Sequence, residues 1–232
     1  MPAPPARRLL LFTKPARPGK VKTRLIGDLT PLQAAELHAA FLDDLLDRLR
    51  TGRFALTLAW ALDADDVIPD SPFPGIRQRG DGLGDRLYNA LSEASADGAT
   101  VAALGSDHPT LPVALAERAF DLLEGGADIV LGPAEDGGYY LIALRAEAVV
   151  RRLFEDIAWS TDQVLPATLE RIAELGLRLE LLPLASDVDT PADLCRLAAA
   201  MADGDLGCPR TRALLGKLGR LEDVPGPPGR HD

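Results

Sequence analysis

The chain has 232 residues, 47% hydrophobic and 26% charged, an ordinary globular composition that excludes disordered, collagen-like and coiled-coil classes. A formal net charge of −10 argues against a nucleic-acid binder, because neutralising phosphates requires a basic surface. No apolar run approaches the ~18 residues of a membrane span, and Leu9 to Phe12 is too short for a signal-peptide core. Cys195 and Cys208 have no metal-ligand spacing and form no disulfide framework, so the expected compartment is a reducing cytoplasm. One domain is expected over residues 1–221, with a flexible tail from Glu222 that carries Pro225, Pro227 and Pro228.

Apolar β-type runs alternate with amphipathic stretches along the chain. Leu9–Thr13 reads as a buried strand. Pro31–Arg50 reads as a long helix, with Thr30 as its cap, Pro31 in the first position and Leu37, Phe41, Leu45 and Leu49 on one face. Strands are expected at Phe54–Leu62 and Gly75–Arg79, then a helix at Gly84–Ala96 with Leu87, Leu91 and Ala94 inward. Thr100–Leu104 has the continuous apolar character of a buried parallel strand. A helix at Val113–Leu123, strands at Asp128–Leu131 and Tyr139–Leu144, a helix at Thr161–Leu175, a strand at Arg178–Leu182 and a helix at Pro191–Met201 complete the series.

This alternation predicts an α/β fold, a mostly parallel central sheet with helices on both faces. The link around Asp136-Gly137-Gly138 is too short for a helical crossover. One of the two strands it joins is therefore expected to run antiparallel or to lie in a small side sheet. Trp60 is expected in the core, while Trp159 and the Leu-rich stretch Leu206–Leu221 suit core or interface equally, leaving an oligomer possible.

Ligands of open parallel sheets bind beyond the carboxyl ends of the strands, so the loops that follow strands are the places to look. Only four lysines accompany 21 arginines, yet Lys14, Lys20 and Lys22 fall within nine residues, joined by Arg17 and Arg24. Pro15 and Pro18 stiffen this loop and Gly19 lets it turn. It is no P-loop, because Lys14 and Val21 stand where that motif needs Gly and Ser or Thr. Its cations nonetheless suit a polyphosphate, and the competing reading is a solvated basic loop. Gly80, Gly82 and Gly84 fail the dinucleotide fingerprint, but Gly82 and its neighbours allow close approach to a ligand.

Gly105-Ser106-Asp107-His108-Pro109 ends a buried strand. Asp107 is either the ligand of a divalent cation or the cap of the next helix, and His108 beside it reads as a hydrogen-bonded residue rather than a catalyst. Asp136-Gly137-Gly138-Tyr139 is either a plain hairpin turn or the edge that binds sugar or acceptor, with Asp136 as hydroxyl acceptor or catalytic base. In Asp187-Val188-Asp189-Thr190-Pro191, Asp189 or Thr190 with Pro191 marks a helix start, and Asp189 alternatively reaches the cation held by Asp107.

These segments occur in a specific order. Phe-Thr-Lys-Pro-x-x-Pro-Gly-x-Val-Lys-Thr-Arg-Leu is followed by Gly-Ser-Asp-x-Pro and Gly-Pro-x-x-Asp-Gly-Gly-Tyr. Trp159-Ser160-Thr161 and Asp187-Val-Asp-Thr-Pro close the series. From about residue 8 to residue 200 the pattern resembles a bacterial glycosyltransferase-like family often found near radical-SAM and arsenosugar genes. That family lies in the nucleotide-diphospho-sugar transferase superfamily, with the GT-A fold. The first segment is also similar to phospholactate guanylyltransferases, and the last to the closing motif of sugar nucleotidyltransferases. The chain departs from nucleotidyltransferases at the opening, where Pro15 and Pro18 replace a Gly-rich loop.

The resemblance implies Lys14, Lys22 and Arg24 on phosphates, and Mg²⁺ or Mn²⁺ on Asp107 with Asp189 as second ligand. The expected function is a metal-dependent glycosyltransferase that uses a nucleotide-diphospho-sugar and a small-molecule acceptor. The alternatives are an NTP-dependent, pyrophosphate-releasing nucleotidyltransferase and a non-catalytic nucleotide-binding module.

Overall fold

The computed structural model describes residues 6–221, so the tail expected from Glu222 lies outside the described residues. In chain order the elements are β1 Arg7–Thr13, α1 Pro31–Leu49, β2 Ala55–Trp60, β3 Gly75–Arg77, α2 Leu83–Ala94, β4 Thr100–Gly105 and α3 Val113–Glu124. They continue with β5 Ile129–Pro133, β6 Tyr139–Leu144, α4 Val164–Glu174, β7 Leu179–Leu181, α5 Pro191–Asp203 and α6 Pro209–Lys217.

The seven strands form one sheet in the order β3-β2-β1-β4-β6-β5-β7. Every neighbouring pair is parallel except those of β6, which runs antiparallel to both β4 and β5. The expected antiparallel element is thus a strand inside the main sheet, fed by the tight Asp136–Gly138 turn.

Strand alternation sorts the core into two layers. Leu9, Leu11, Leu58 and Leu104 face α1 and α3, while Leu10, Val101, Ala103 and Ile142 face α2 and α4. A third cluster joins Leu25 and Leu29 to Leu37 and Phe41 of α1, and to α5 and α6 packed behind them. Trp60 is buried in the first layer, as expected. Helix α1 begins as its sequence predicts: Thr30 and Gln33 form a reciprocal capping box with Pro31 in the first turn.

Two differences matter for the site. Helix α4 starts at Val164, three residues later than expected, because Thr161 is spent on a turn. Its hydroxyl donates to Ala158 O and accepts from Gln163 N, leaving residues 158–163 as a loop against Gly84 and the Gly137 turn. Helix α6, within the stretch left as core or interface, is a core element whose Leu215 is fully buried. No described helix is long and apolar enough to cross a membrane.

Candidate active site

From β1 the chain moves outward to β2 and β3, then returns to the other side of β1 for β4. The loops after β1 and β4 therefore diverge, opening a crevice at the carboxyl ends of these two strands. Phe12 pairs with Gly105 across the crevice floor.

The β1 loop is pinned on both sides of Lys22. Gly19 takes a φ of +76°, Val21 and Leu25 are buried, and Thr23–Leu25 forms a short 3-10 turn. Lys22 itself adopts the left-handed region, with φ of 46°, a conformation costly for a residue with a side chain. The local strain places its ammonium inward, 5.4 Å from the centre of the Phe41 ring. There it donates to Asp107 Oδ1, to Val188 O at 2.9 Å and to Asp189 Oδ1 at 3.0 Å.

Those contacts use all three N–H donors of the ammonium. Burial alone would lower the Lys22 pKa, but Asp107 and Asp189 outweigh it and hold the group above its ordinary value. Burial likewise pushes the Asp107 carboxyl up, and Lys22 overcomes it to hold the group below the usual carboxylate range. Lys22 lines the first crevice half, but in this conformation its ammonium is engaged by the carboxylates and not turned to an incoming phosphate. Its side chain is 2% exposed and has no donor to spare.

Both helix-cap readings of the carboxylates are also decided. Helix α3 starts at Val113, with Pro112 at its N-cap and no side-chain cap, so Asp107 does not cap it. Thr190 caps α5 in a reciprocal box with Asp193, whose Oδ2 also accepts from Asp189 N. Asp189 keeps its own side chain for the crevice. A bond from Val188 N to Asp107 O ties the two loops together.

Asp107 and Asp189 with Lys22 carry one net negative charge. Both carboxylates retain exposure, 41% and 32%, on the crevice side. Among the described residues no group of three or more His, Cys, Asp or Glu is placed to hold a metal. Two carboxylates fit Mg²⁺ or Mn²⁺, which completes a hard oxygen shell with waters and substrate phosphates.

The crevice has two halves that meet at Asp107, Asp189, Arg24 and Ser160. One, of about 570 Å³, is lined by Lys14, Lys20, Arg24 and Arg86, with Gln78 and Ala61 at its far side. The other, of about 440 Å³, is lined by Asp136, Gly138, Tyr139, Trp159 and Asp162.

Not every expected residue faces these halves. Arg17 turns outward to Asp66 at 2.7 Å, and Gly82 precedes α2 with open space around it; neither lines the crevice. Gly19 shapes the loop without lining it. Gly137 packs against Asp162: a Cβ there would lie 2.4 Å from Asp162 O. Asp136 Oδ1 accepts from Gly138 N at 2.9 Å, so the hairpin-turn reading holds for that oxygen. The Tyr139 ring lines the second half, but its hydroxyl is buried and burial pushes its pKa up.

Sequence reasoning missed one histidine contact and named no partner for the other. His38, on the inward face of α1, is buried and its Nε2 lies 3.0 Å from Lys14 O, supporting the cationic loop from beneath. Burial lowers its pKa, so the neutral ring donates that bond. His108 is also buried. It meets Asp187 through Nε2 and packs edge-on against Tyr140 at 5.2 Å, which holds the Asp187–Asp189 segment against the β4 loop. Neither contact has a sequence signal beyond a histidine near apolar positions.

A model of a bacterial family described as uncharacterized conserved proteins, DUF2064, matches residues 45–161. The chain belongs to the DUF2064 family. Its fold is that of the nucleotide-diphospho-sugar transferases. A crystal structure from Desulfovibrio desulfuricans G20, provisionally assigned as such a transferase, is 33% identical with a TM-score of 0.85. That match covers 93% of this chain and 96% of that one.

Two more distant structures share the fold alone. A cytidylyltransferase from Leptospira borgpetersenii is 12% identical, with a TM-score of 0.56 over 94% of this chain and 98% of that one. A CMP:2-keto-3-deoxy-manno-octonic acid synthetase solved with CTP is 15% identical, with a TM-score of 0.53 over 85% and 99%. Among curated proteins, nothing matches. The matched DUF2064 segment contains the β4 loop with Asp107 and the Asp136–Tyr139 turn, but neither the cationic loop nor Asp189.

Proposed function

We propose that this DUF2064 protein is a metal-dependent glycosyltransferase that takes a nucleotide-diphospho-sugar as donor. The observation that carries this reading is the meeting of Asp107 and Asp189, from loops 82 positions apart, beside a crevice half lined by Lys14, Lys20, Arg24 and Arg86. Carboxylates paired with cations over one crevice suit a diphosphate joined to a divalent cation.

In this reading Lys14, Lys20 and Arg24 bind the diphosphate, and Arg86 and Gln78 line the space left for the nucleoside. Asp107 and Asp189 would hold Mg²⁺ or Mn²⁺, which when bound supplies positive charge to the leaving diphosphate. Lys22 holds the two carboxylates at one spacing and keeps their mutual repulsion down. The acceptor oxygen forms a bond to the anomeric carbon. The bond from that carbon to the diphosphate breaks, with its electron pair leaving on the nucleoside diphosphate. The acceptor proton passes to Asp136, whose Oδ2 has no protein partner among the described residues.

The test is thermal unfolding with UDP-, GDP- and CDP-sugars and the four NTPs, each with and without Mn²⁺. A nucleotide sugar with Mn²⁺ should raise Tm more than either alone, and Asp107→Asn should remove the metal-dependent part. Stabilisation by an NTP alone, with pyrophosphate release on turnover, establishes nucleotidyl transfer instead. If no nucleotide shifts Tm, the reading fails.

A further inference from the structure

The geometry points to a small neutral or cationic polyol as the occupant of the second crevice half, and against any phosphorylated or carboxylated compound there. This inference rests on the nucleotide reading of the first half and adds the chemical class of the acceptor.

The cavity of about 440 Å³ has five carboxylates in its wall, Asp107, Asp136, Asp162, Asp187 and Asp189, with Arg24 as its one cationic side chain among the described residues. Lys22 contacts Asp107 and Asp189, Arg24 lies 3.8 Å from Asp189, and His108 stands against Asp187. Asp136 and Asp162 have no cationic partner among the described residues. The first takes the Gly138 amide on Oδ1 and the second takes the Gln163 side-chain amide at 3.1 Å. Each keeps an oxygen that can accept from a hydroxyl or an ammonium, and each opposes an anion.

The remaining wall is aromatic. Tyr139 and Trp159 meet edge to face with ring centres 6.3 Å apart, presenting apolar surface of the kind on which the C–H groups of a sugar ring pack.

The crevice is therefore polarised, with free cations at one end and free carboxylates at the other. A donor with an anionic diphosphate and a neutral sugar enters in one orientation, phosphates toward Lys14 and Lys20. The nucleophile that completes the site is then a hydroxyl or an amine, because a phosphate oxygen brought past Asp136 and Asp162 meets like charge. This distinguishes the chain from transferases whose acceptor is itself a phosphate.

Trp159 provides a direct probe. The protein has two tryptophans, and Trp60 is only 5% exposed, a constant background. Fluorescence quenching of the whole protein by caesium and by iodide, each normalised to acrylamide, reads the field beside Trp159. The Trp159→Phe protein identifies its share of the signal. Caesium should quench at least threefold better than iodide at low salt, and Asp136→Asn with Asp162→Asn should narrow the gap. Glucose and glucosamine should shield Trp159 from acrylamide at lower concentration than glucose 6-phosphate, with nucleotide and Mn²⁺ present or absent.

Iodide quenching equal to or stronger than that of caesium, or better shielding by glucose 6-phosphate, overturns the inference. Neither result depends on nucleotide binding. Failure of the nucleotide reading shows instead as an absent Tm shift with every nucleotide, so the two failures are separable.

Discussion

Lys22 and Asp107 meet across the crevice from positions 85 residues apart, and the same ammonium also reaches Asp189 at 3.0 Å. The lysine occupies the charge position that a divalent cation would share. Replacing it leaves Asp107 without its ammonium and Asp189 with only the exposed Arg24 at 3.8 Å. Lys22→Met should therefore cost about 2 kcal/mol, less than the roughly 3–5 of a fully buried pair because both carboxylates stay partly exposed. That corresponds to a Tm lower by roughly 6 °C for a domain of this size. On the proposed reading Mn²⁺ with a nucleotide sugar would supply the missing charge, so the deficit should shrink when both are added. Thermal unfolding with and without them checks this. An unchanged Tm in the ligand-free variant would mean the ammonium contributes no net stability there.

The support beneath the cationic loop makes a pH-dependent prediction. Burial lowers the His38 pKa in the folded protein below its ordinary 6.5, so as pH falls the unfolded chain takes up the proton first. The stability from the neutral, buried ring is full above 6.5 and is lost progressively as pH falls below it. Tm should decline between pH 7.5 and 5 in the wild type, and this part of the decline should be smaller in His38→Gln. The glutamine keeps an N–H that can donate to Lys14 O, whereas His38→Leu does not. His38→Leu should weaken nucleotide affinity roughly fivefold, the worth of one such bond, by calorimetric titration. Equal affinities for the two variants would remove the Lys14 contact from the binding argument.

Helix α6 shows where the sequence was hard to read and what that costs in stability. Strand β6 and helix α1 are legible because their signals are local: a continuous apolar run after a Gly-Gly turn, and a Thr–Pro cap before apolar residues at every fourth position. Helix α6 has no cap of its own. Its first amides are satisfied by Asp44 of α1, whose oxygens accept from Arg210 N at 3.1 Å and Thr211 N at 2.8 Å. A cap supplied from 166 positions back leaves no pattern near Pro209.

The site divides in the same way. Asp107, Asp189 and the cationic loop stand out because Gly, Pro and charge cluster at strand ends. The saturation of Lys22, by contrast, depends on three distant partners that no spacing encodes. Asp44→Ala should cost about 2 kcal/mol, since it orphans two amides beside a fully buried side chain. Denaturant unfolding should show that loss while nucleotide-dependent Tm shifts stay as in the wild type. A cost near zero would mean that water replaces the carboxylate.

The turn that begins β6 separates a structural from a ligand role for Gly137. Its φ of +87° disfavours any side chain, and a Cβ would stand 2.4 Å from Asp162 O and 2.6 Å from Asp162 Cα. Gly137 O also accepts from Leu165 N at 2.8 Å, so the same residue fixes the start of α4. Gly137→Ala therefore has to move the 158–163 loop, and with it Trp159 and Asp162 in the second crevice half. The expected cost is about 2 kcal/mol from the backbone conformation and the displaced contact. Because Ser160 is the one residue of that loop that lines the first half among the described residues, nucleotide binding with Mn²⁺ should stay within about twofold of the wild type, a difference below 0.5 kcal/mol in round figures. Acrylamide quenching of Trp159 should rise, and shielding by glucose should weaken. Parallel loss of nucleotide binding would show that the two halves are not independently supported, and that the Gly137–Asp162 contact organises the whole crevice.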